Sequence, residues 1–408
     1  MSDDRNPWTP EWSNAVFSLE ERDRRWGKVR RLMRENGIDL ILCLPCTNSH
    51  DRGQADARYL TQLGENSDET TVAFPIEGGV TAWHSRGGAW PGSNWFADIR
   101  ATGRGTGGAT SLAWIKENPR FADATIAIAG MDATPLTHVR SDEGEVNWQS
   151  VEKIKKGLPK AHIVSASKVL GLARWRKSVE EIEFLRKGTE VAEATLEAMH
   201  KHTRPGVRER HVFAQMMFAN ADAGGSFTPM FGWATGPNGK TWHRVEQPSF
   251  RVFAPGDALL VEIEGRWGGY ISQIDQTCEL GFSRPEKRDA MKLAFEAFDR
   301  VMDKLKPGVT VRDLIAAARV TGLGGRIETG LGGHGRGTGD DGPLLVARRA
   351  EGSEVLDLVI EEDCSFVIKP SAAFDGEGDF ARWGDTVAVT KSGAKRLGTR
   401  PQEMRVLG

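Results

Sequence analysis

The stretch of this 408-residue chain that most constrains its fold is residues 256–277, which read GDALLVEIEGRWGGYISQIDQT. Two apolar runs flank a Trp-Gly-Gly turn, and this pattern is typical of a β-hairpin. Glu262 and Glu264 are two positions apart, so they lie on one face of the first strand, and Gln273 and Asp275 repeat that spacing on the second. Burial of such polar side chains is costly unless they bind a partner. We therefore look for a functional site on this hairpin.

Elsewhere the chain alternates helical and strand-like patterns in its first half, which indicates an α/β layer. There the sequence predicts helices over 19–36 and 151–157, and strands over 39–44, 71–75, 124–129 and 163–165. In the second half it predicts helices over 178–202, 207–222, 286–305 and 311–318, and strands over 227–235, 257–264, 366–369 and 386–390. A chain of this length is expected to form two domains.

Several motifs resemble those of the pita-bread family (peptidase family M24), in its creatinase, prolidase and aminopeptidase P branch. The hairpin aligns with the family's metal-binding hairpin through Gly269 and Tyr270. The other matching segments, in the family's order, are residues 31–44, RYLT at 58–61, GHG at 333–335, IKP at 368–370 and RWGDTV at 382–387. The resemblance therefore covers most of the chain.

The resemblance implies a creatinase-like α/β N-terminal domain over residues 1–174. It implies an α+β pita-bread domain over residues 175–408, with a curved antiparallel sheet backed by helices. The pocket is expected on the concave side of that sheet.

The positions at which the family binds two metal ions are, by this resemblance, Glu262, Gln273, His334, Lys369 and Gly384. A pair of hard or borderline cations needs several carboxylate oxygens as well as an imidazole. Lys369 has three donors and no acceptor, and at an effective dielectric constant of ~20 it would repel a nearby cation by several kcal/mol. We therefore expect no metal and no cofactor, with Lys369 paired to Glu262. A single residual metal ion remains an alternative.

The predicted function is that of a metal-independent, creatinase-like hydrolase that cleaves a C–N bond in a small molecule. His243 would activate water or protonate the leaving nitrogen, as a histidine at this point does in creatinase. Asp275 and Glu262 would orient the substrate, and Asp275 matches a substrate-binding position of creatinase. Lys369 and His334 would stabilise charge on the carbonyl oxygen.

Further substrate-binding residues are predicted around these groups: Glu264, Gln273, Arg336, Arg382 and Trp267. The cationic side chains suit a carboxylate-bearing substrate. Trp267, together with Trp233, Trp242 and Trp383, suggests an aromatic wall, although aromatic core packing explains these tryptophans equally well.

Three other functions remain open at this point. A lyase on the same scaffold would use the same groups for proton abstraction. An Xaa-Pro-type metallopeptidase would need the few remaining metal ligands to suffice. A non-catalytic binding protein would keep Lys369 and Glu262 as a structural ion pair.

The composition limits the classes of partner and the location that we expect for this chain. The 54 Lys and Arg residues nearly balance the 56 Asp and Glu residues, which argues against nucleic acid as a partner. No apolar run of about 18 residues predicts a membrane span, and the polar start is unlike a secretory signal. We expect the four cysteines to be buried thiols, which is typical of proteins in the reducing cytoplasm. The resemblance to creatinase implies a homodimer.

Overall fold

The computed structural model describes residues 16–45, 55–63, 70–85, 95–103, 106–137, 139–140, 143–225, 231–237, 243–245, 248–346 and 354–408. The chain forms two compact units. The first consists of Met1–Glu180 with Thr338–Pro343, and the second of Glu181–Gly337 with Leu344–Gly408.

The first unit is an α/β layer built on a six-stranded sheet with the order β4-β3-β2-β1-β5-β6. Its strands are β1 (Leu40–Cys43), β2 (Thr71–Pro75), β3 (Thr81–His84), β4 (Asp98–Ala101), β5 (Thr125–Ile128) and β6 (His162–Ser165). Its helices are α1 (Leu19–Glu35), α2 (Ala55–Thr61), α3 (Gly107–Glu117), α4 (Trp148–Gly157) and α5 (Ser167–Trp175).

The central strand β1 shows why this sheet has layers on both faces. Leu40 and Leu42 pack in one apolar core, whereas Ile41 and Cys43 pack in another. Because successive side chains of a strand point to opposite faces, a continuous apolar run buries both faces of the sheet.

The short segment Thr338–Pro343 is held in the first unit by buried charges. Arg174 bonds to Asp56, and its Nε donates to Asp341 Oδ1 at 3.1 Å. Lys177 Nζ lies 3.7 Å from Asp341 Oδ2. Asp341 thus has two cationic partners, which offset the cost of burying its charge.

The second unit is built on a 12-stranded sheet whose main path is β11-β12-β15-β16-β10-β9-β7-β8. The strands are β7 (Phe231–Gly236), β8 (His243–Val245), β9 (Ala258–Trp267), β10 (Tyr270–Leu280), β11 (Thr321–Gly322), β12 (Ile327–Gly330), β13 (Gly333–Gly335), β14 (Ser365–Ile368), β15 (Ser371–Phe374), β16 (Glu377–Thr390), β17 (Gly393–Arg396) and β18 (Arg405–Leu407). The helices are α6 (Val179–His202), which begins at the unit boundary, α7 (Glu209–Asp222), α8 (Pro285–Lys304) and α9 (Val311–Ala317).

These two units confirm the predicted fold class, an α/β N-terminal part and a curved antiparallel sheet with helices. The predicted hairpin is β9 and β10, which pair antiparallel from Trp267 opposite Tyr270 to Ala258 opposite Glu279. Within the part of the chain that the structure describes, no helix has the length and apolar character needed to cross a membrane.

Helix α6 packs unusually close to this hairpin. A Cβ added at Gly265 of β9 would overlap the carbonyl oxygen of Gly188 in α6 and lie 2.7 Å from the backbone nitrogen of Ala192. Since backbone atoms cannot move aside as a flexible side chain can, glycine is required at this contact. The contact holds α6 against one face of the hairpin, and Glu262 lies on the other face.

We expect Gly265→Ala to destabilise the second unit by about 1–3 kcal/mol or more, because the added methyl group overpacks a backbone contact. The measurement is the midpoint of urea unfolding followed by circular dichroism. Gly330→Ala is the matched control, since Gly330 is exposed and a Cβ there meets nothing within 4 Å. Equal midpoints for the two variants would contradict the close-packing argument.

Candidate active site

The hairpin sets four polar side chains next to one another. Glu262 lies opposite Asp275 and Glu264 lies opposite Gln273 in the β9–β10 register. Alternation along each strand places all four on one face. Each is at most 3 % exposed. A buried row of this kind requires partners from neighbouring strands.

Strands β14 and β16 supply those partners. On β16, Gly384 lies opposite Asp275, so Arg382, two residues earlier, shares the same face of the sheet. The Thr277 hydroxyl donates to the Arg382 carbonyl at 3.0 Å and accepts from its N–H at 2.9 Å, which fixes this crossing. Lys369 follows β14 directly, and its N–H donates to the Gly332 carbonyl at 2.9 Å.

Glu262 is held by two cations. The Lys369 ammonium donates to Glu262 Oε1 at 2.7 Å, and Arg382 Nη1 donates to the same oxygen at 2.8 Å. Arg382 Nη1 also lies 3.3 Å from Asp275 Oδ2. The predicted Lys369–Glu262 pair is therefore present, and Arg382 extends it to Asp275.

A second set of contacts surrounds Glu264. Arg266 Nη2 lies 2.9 Å from Glu264 Oε2, and Arg336 Nη2 lies 3.2 Å from Glu264 Oε1. Arg336 also donates to the Gln273 side-chain oxygen, and the Gln273 amide donates to Asp275 Oδ1 at 3.2 Å. Both members of the Glu264–Arg266 pair are buried.

His334 lies in the short strand β13, opposite Val367 of β14, and is 3 % exposed. Its Nδ1 lies 3.1 Å from the Gly335 carbonyl oxygen. Because a carbonyl can only accept, Nδ1 carries the hydrogen in this contact, and in a neutral ring Nε2 then carries the lone pair. Nε2 is thus the basic nitrogen of His334.

For two other predicted site residues, His243 and Trp267, the structure gives a position in a strand but, among the described residues, no contact within the site. His243 begins β8, with its backbone opposite Thr235, and the structure does not describe its side chain. Trp267 is half-buried at the end of β9. The predicted roles of both remain predictions.

Two of the four tryptophans considered for an aromatic wall are fully buried. Trp233 is buried in the apolar core of the second unit, and Trp383 packs edge-on against Phe298 at 4.8 Å between ring centroids. For these two, core packing is the reading that holds. Trp242 lies outside the described residues.

The side chains at the five family metal positions do not fit a pair of divalent ions. Of these, only Glu262 and His334 offer an anionic or imidazole donor, and Glu262 Oε1 already accepts from Lys369 and Arg382. A Cβ at Gly384 would overlap Lys369 Cβ and lie 2.8 Å from its Cα. Throughout the described ranges, no three His, Cys, Asp or Glu residues are grouped so as to hold a metal ion.

Comparison with known proteins identifies the family. The model for metallopeptidase family M24 matches residues 183–391, just over half of the chain. The chain belongs to this family. Among curated relatives, the Xaa-Pro dipeptidase of Pyrococcus furiosus is 27 % identical over 268 residues, 64 % of this chain and 74 % of that protein. The probable dipeptidase PepE of Mycobacterium tuberculosis is 29 % identical over 253 residues, 60 % of this chain and 64 % of that protein.

A solved structure agrees in fold. The Xaa-Pro dipeptidase of Bacillus anthracis superposes with a TM-score of 0.70 at 20 % identity, covering 95 % of this chain and all of that one. The recognition of the pita-bread family from sequence motifs is therefore confirmed.

The predicted main function is wrong. Both of these relatives are named as dipeptidases, and the family is one of metallopeptidases, so the similarities do not point to a metal-independent, creatinase-like enzyme that acts on another C–N bond. The broader part of the prediction, a hydrolase, is supported. The prediction followed the missing metal ligands and the creatinase-like positions of His243 and Asp275, whereas the similarity over 64 % of the chain is to an Xaa-Pro dipeptidase.

Two residues that hold the site together carry no predicted role. The Thr386 hydroxyl donates to the Gln273 carbonyl and accepts from its N–H, each at 2.8 Å. Arg400 donates to the carbonyls of Gly384 and of Asp275, the latter at 3.1 Å. Burial lowers the pKa of Arg400 to about 10, so it is still charged at neutral pH. Thr386 lies in the RWGDTV motif, which was a usable signal, whereas no motif includes Arg400.

The ion-pair network predicts unequal effects of removing its members. Glu262→Gln leaves both Lys369 and Arg382 beside a neutral amide, so we expect it to lower the free energy of unfolding by about 3–5 kcal/mol. Lys369→Met leaves Glu262 with Arg382, so its cost is expected to be smaller. Urea titration of both variants measures these differences.

The double variant Glu262→Gln/Lys369→Met tests whether the two side chains interact. We expect it to lose less stability than the sum of the two single variants, with a coupling of about 0.5–3 kcal/mol. Lys391→Met is the control, since Lys391 is an exposed lysine. Strictly additive losses would show that Lys369 and Glu262 do not interact.

Proposed function

We propose that this chain is a hydrolase of short peptides, with Xaa-Pro dipeptides as the first substrate class. The observation that carries this proposal is the similarity to the Pyrococcus furiosus Xaa-Pro dipeptidase, which extends over most of both proteins. The family match over the second unit, which contains the hairpin site, supports it.

The charges of the site suit such a substrate. A dipeptide at neutral pH carries an ammonium group at one end and a carboxylate at the other. The site has carboxylates at Glu262, Glu264 and Asp275, and cations at Lys369, Arg382 and Arg336. A zwitterion can therefore exchange partners with the existing ion pairs without leaving a buried charge uncompensated.

Specific roles follow from these positions. Lys369 and Arg382 would bind an anionic group of the substrate, or the oxygen of the peptide carbonyl as it gains negative charge. Asp275 and Glu264 would bind the substrate ammonium. His334, through Nε2, would accept a proton from water or return one to the leaving nitrogen.

A second candidate is peptide binding without hydrolysis. It is favoured by the side chains at the family's five metal positions, of which only Glu262 and His334 offer an anionic or imidazole donor. The charged residues of the site would then recognise the peptide and release it unchanged.

A dipeptide panel tests the proposal. We expect purified protein to hydrolyse Xaa-Pro dipeptides faster than Xaa-Ala dipeptides, with free proline measured by mass spectrometry. His334→Gln should lower kcat by about 10²-fold or more, because it removes the proton acceptor. Lys391→Met, an exposed change, is the control for handling of the variants.

Calorimetric titration with the same dipeptides separates the two candidates. Binding without proline release by the wild-type protein favours the second candidate. If the protein neither binds nor hydrolyses any of the dipeptides, both candidate functions are contradicted. Homodimerisation and a cytoplasmic location stay predictions, and sedimentation at micromolar protein concentration measures the first.

A further inference from the structure

We infer that the hairpin site of this chain excludes the pair of divalent metal ions that its resemblance to the family implies, and that the Lys369 ammonium is the group that excludes them. This inference concerns ion binding and stands apart from the proposed peptide substrate. Three observations support it.

The first observation is the way the carboxylates are used. Glu262 Oε1 accepts from Lys369 at 2.7 Å and from Arg382 at 2.8 Å, and Asp275 Oδ2 lies 3.3 Å from Arg382. A metal ion that binds Glu262 would have to displace a buried ammonium and leave it beside a dication. At ~4 Å, like charges repel by several kcal/mol for each unit of charge at an effective dielectric constant of ~20.

The second observation is the charge already present. The cluster contains three carboxylates, at Glu262, Glu264 and Asp275, and four cations, at Arg266, Arg336, Lys369 and Arg382. All seven residues are at most 9 % exposed. Two divalent ions would add four positive charges to a site in which cations already outnumber anions, and the site has little solvent to screen them.

The third observation is steric. Gly384 lies against Lys369, so that a side chain at position 384 would overlap Lys369 Cβ and press on the backbone, 2.8 Å from its Cα. The stem of Lys369 therefore fills the space that a ligand side chain at position 384 would need. The missing donor at position 384 and the ammonium at position 369 therefore go together, because the Lys369 stem needs the space that only a glycine at position 384 leaves open.

Metal analysis of the wild-type protein is the direct test. The protein is incubated separately with Mn²⁺, Co²⁺ and Zn²⁺, dialysed, and analysed by inductively coupled plasma mass spectrometry. A dipeptidase of the family, treated in parallel, is the control for loading. We expect well under one equivalent of each ion, whereas about two equivalents, the number a dinuclear site holds, would overturn the inference.

Charge reversal at Lys369 tests the assigned cause. In Lys369→Glu a carboxylate replaces the ammonium beside Glu262, so the cluster then contains four carboxylates and three cations and offers more oxygen donors to a metal ion. We expect Mn²⁺ to raise the melting temperature of this variant by on the order of 5 °C, because an ion that binds only the folded state stabilises it. Wild type and Lys391→Glu, the same change at an exposed lysine, should show no such rise.

Each result has one meaning. A rise confined to Lys369→Glu supports the inference, and an equal rise in the wild type overturns it. A folded Lys369→Glu variant with no rise contradicts the assignment to Lys369. If that variant does not fold, the wild-type metal content still decides. None of these readouts uses substrate, so failure of the dipeptide panel leaves them unaffected.

Discussion

The buried carboxylate of Glu262, shared by Lys369 and Arg382, is the interaction on which the rest of the site depends. It joins three segments of the second unit: strand β9, the residue after β14, and strand β16. A carboxylate at 1 % exposure is tolerable only because two cations donate to it. The geometry of Asp275 follows from this arrangement, since Arg382 contacts both acids.

Behind this network, backbone contacts keep the strands in place. Gly265 and Gly188 allow α6 to approach the hairpin directly, and Thr386 and Arg400 bond to backbone groups of β10 and β16. Arg400 also stacks on Trp383 at 4.2 Å, so one guanidinium serves both the aromatic core and the carbonyls behind the site. The site is therefore built on rigid strands, which suits recognition of a small substrate with fixed geometry.

Family and local chemistry give different information about this protein. The match to M24 over the second unit and the dipeptidase names of its relatives support the proposed hydrolysis of short peptides. At the five metal positions, Lys369 carries an ammonium and Gly384 has no donor, and the carboxylate of Glu262 is paired with Lys369 and Arg382. Because one fold can support several chemistries, the named residues have to decide between them by experiment.

Local patterns were enough for much of the fold. The alternation in residues 256–277 predicted β9 and β10, and α1, α8 and β2 lie close to their predicted bounds. Short strands such as β4, β11 and β18 were missed, because two to four residues carry too little periodicity. The placement of Thr338–Pro343 in the first unit had no sequence signal, since it depends on the bonds from Arg174 and Lys177 to Asp341.

The sequence by itself determined the family, the order of its motifs and which polar side chains share a face of the hairpin. These depend on local spacing, which a strand converts directly into direction. Only the tertiary structure decided that Glu262 has a second cation, that Trp383 is a core residue and that Arg400 supports the site. The partners of Glu262 are 107 and 120 residues away along the chain, and contacts at that range are set by sheet register and packing rather than by local spacing.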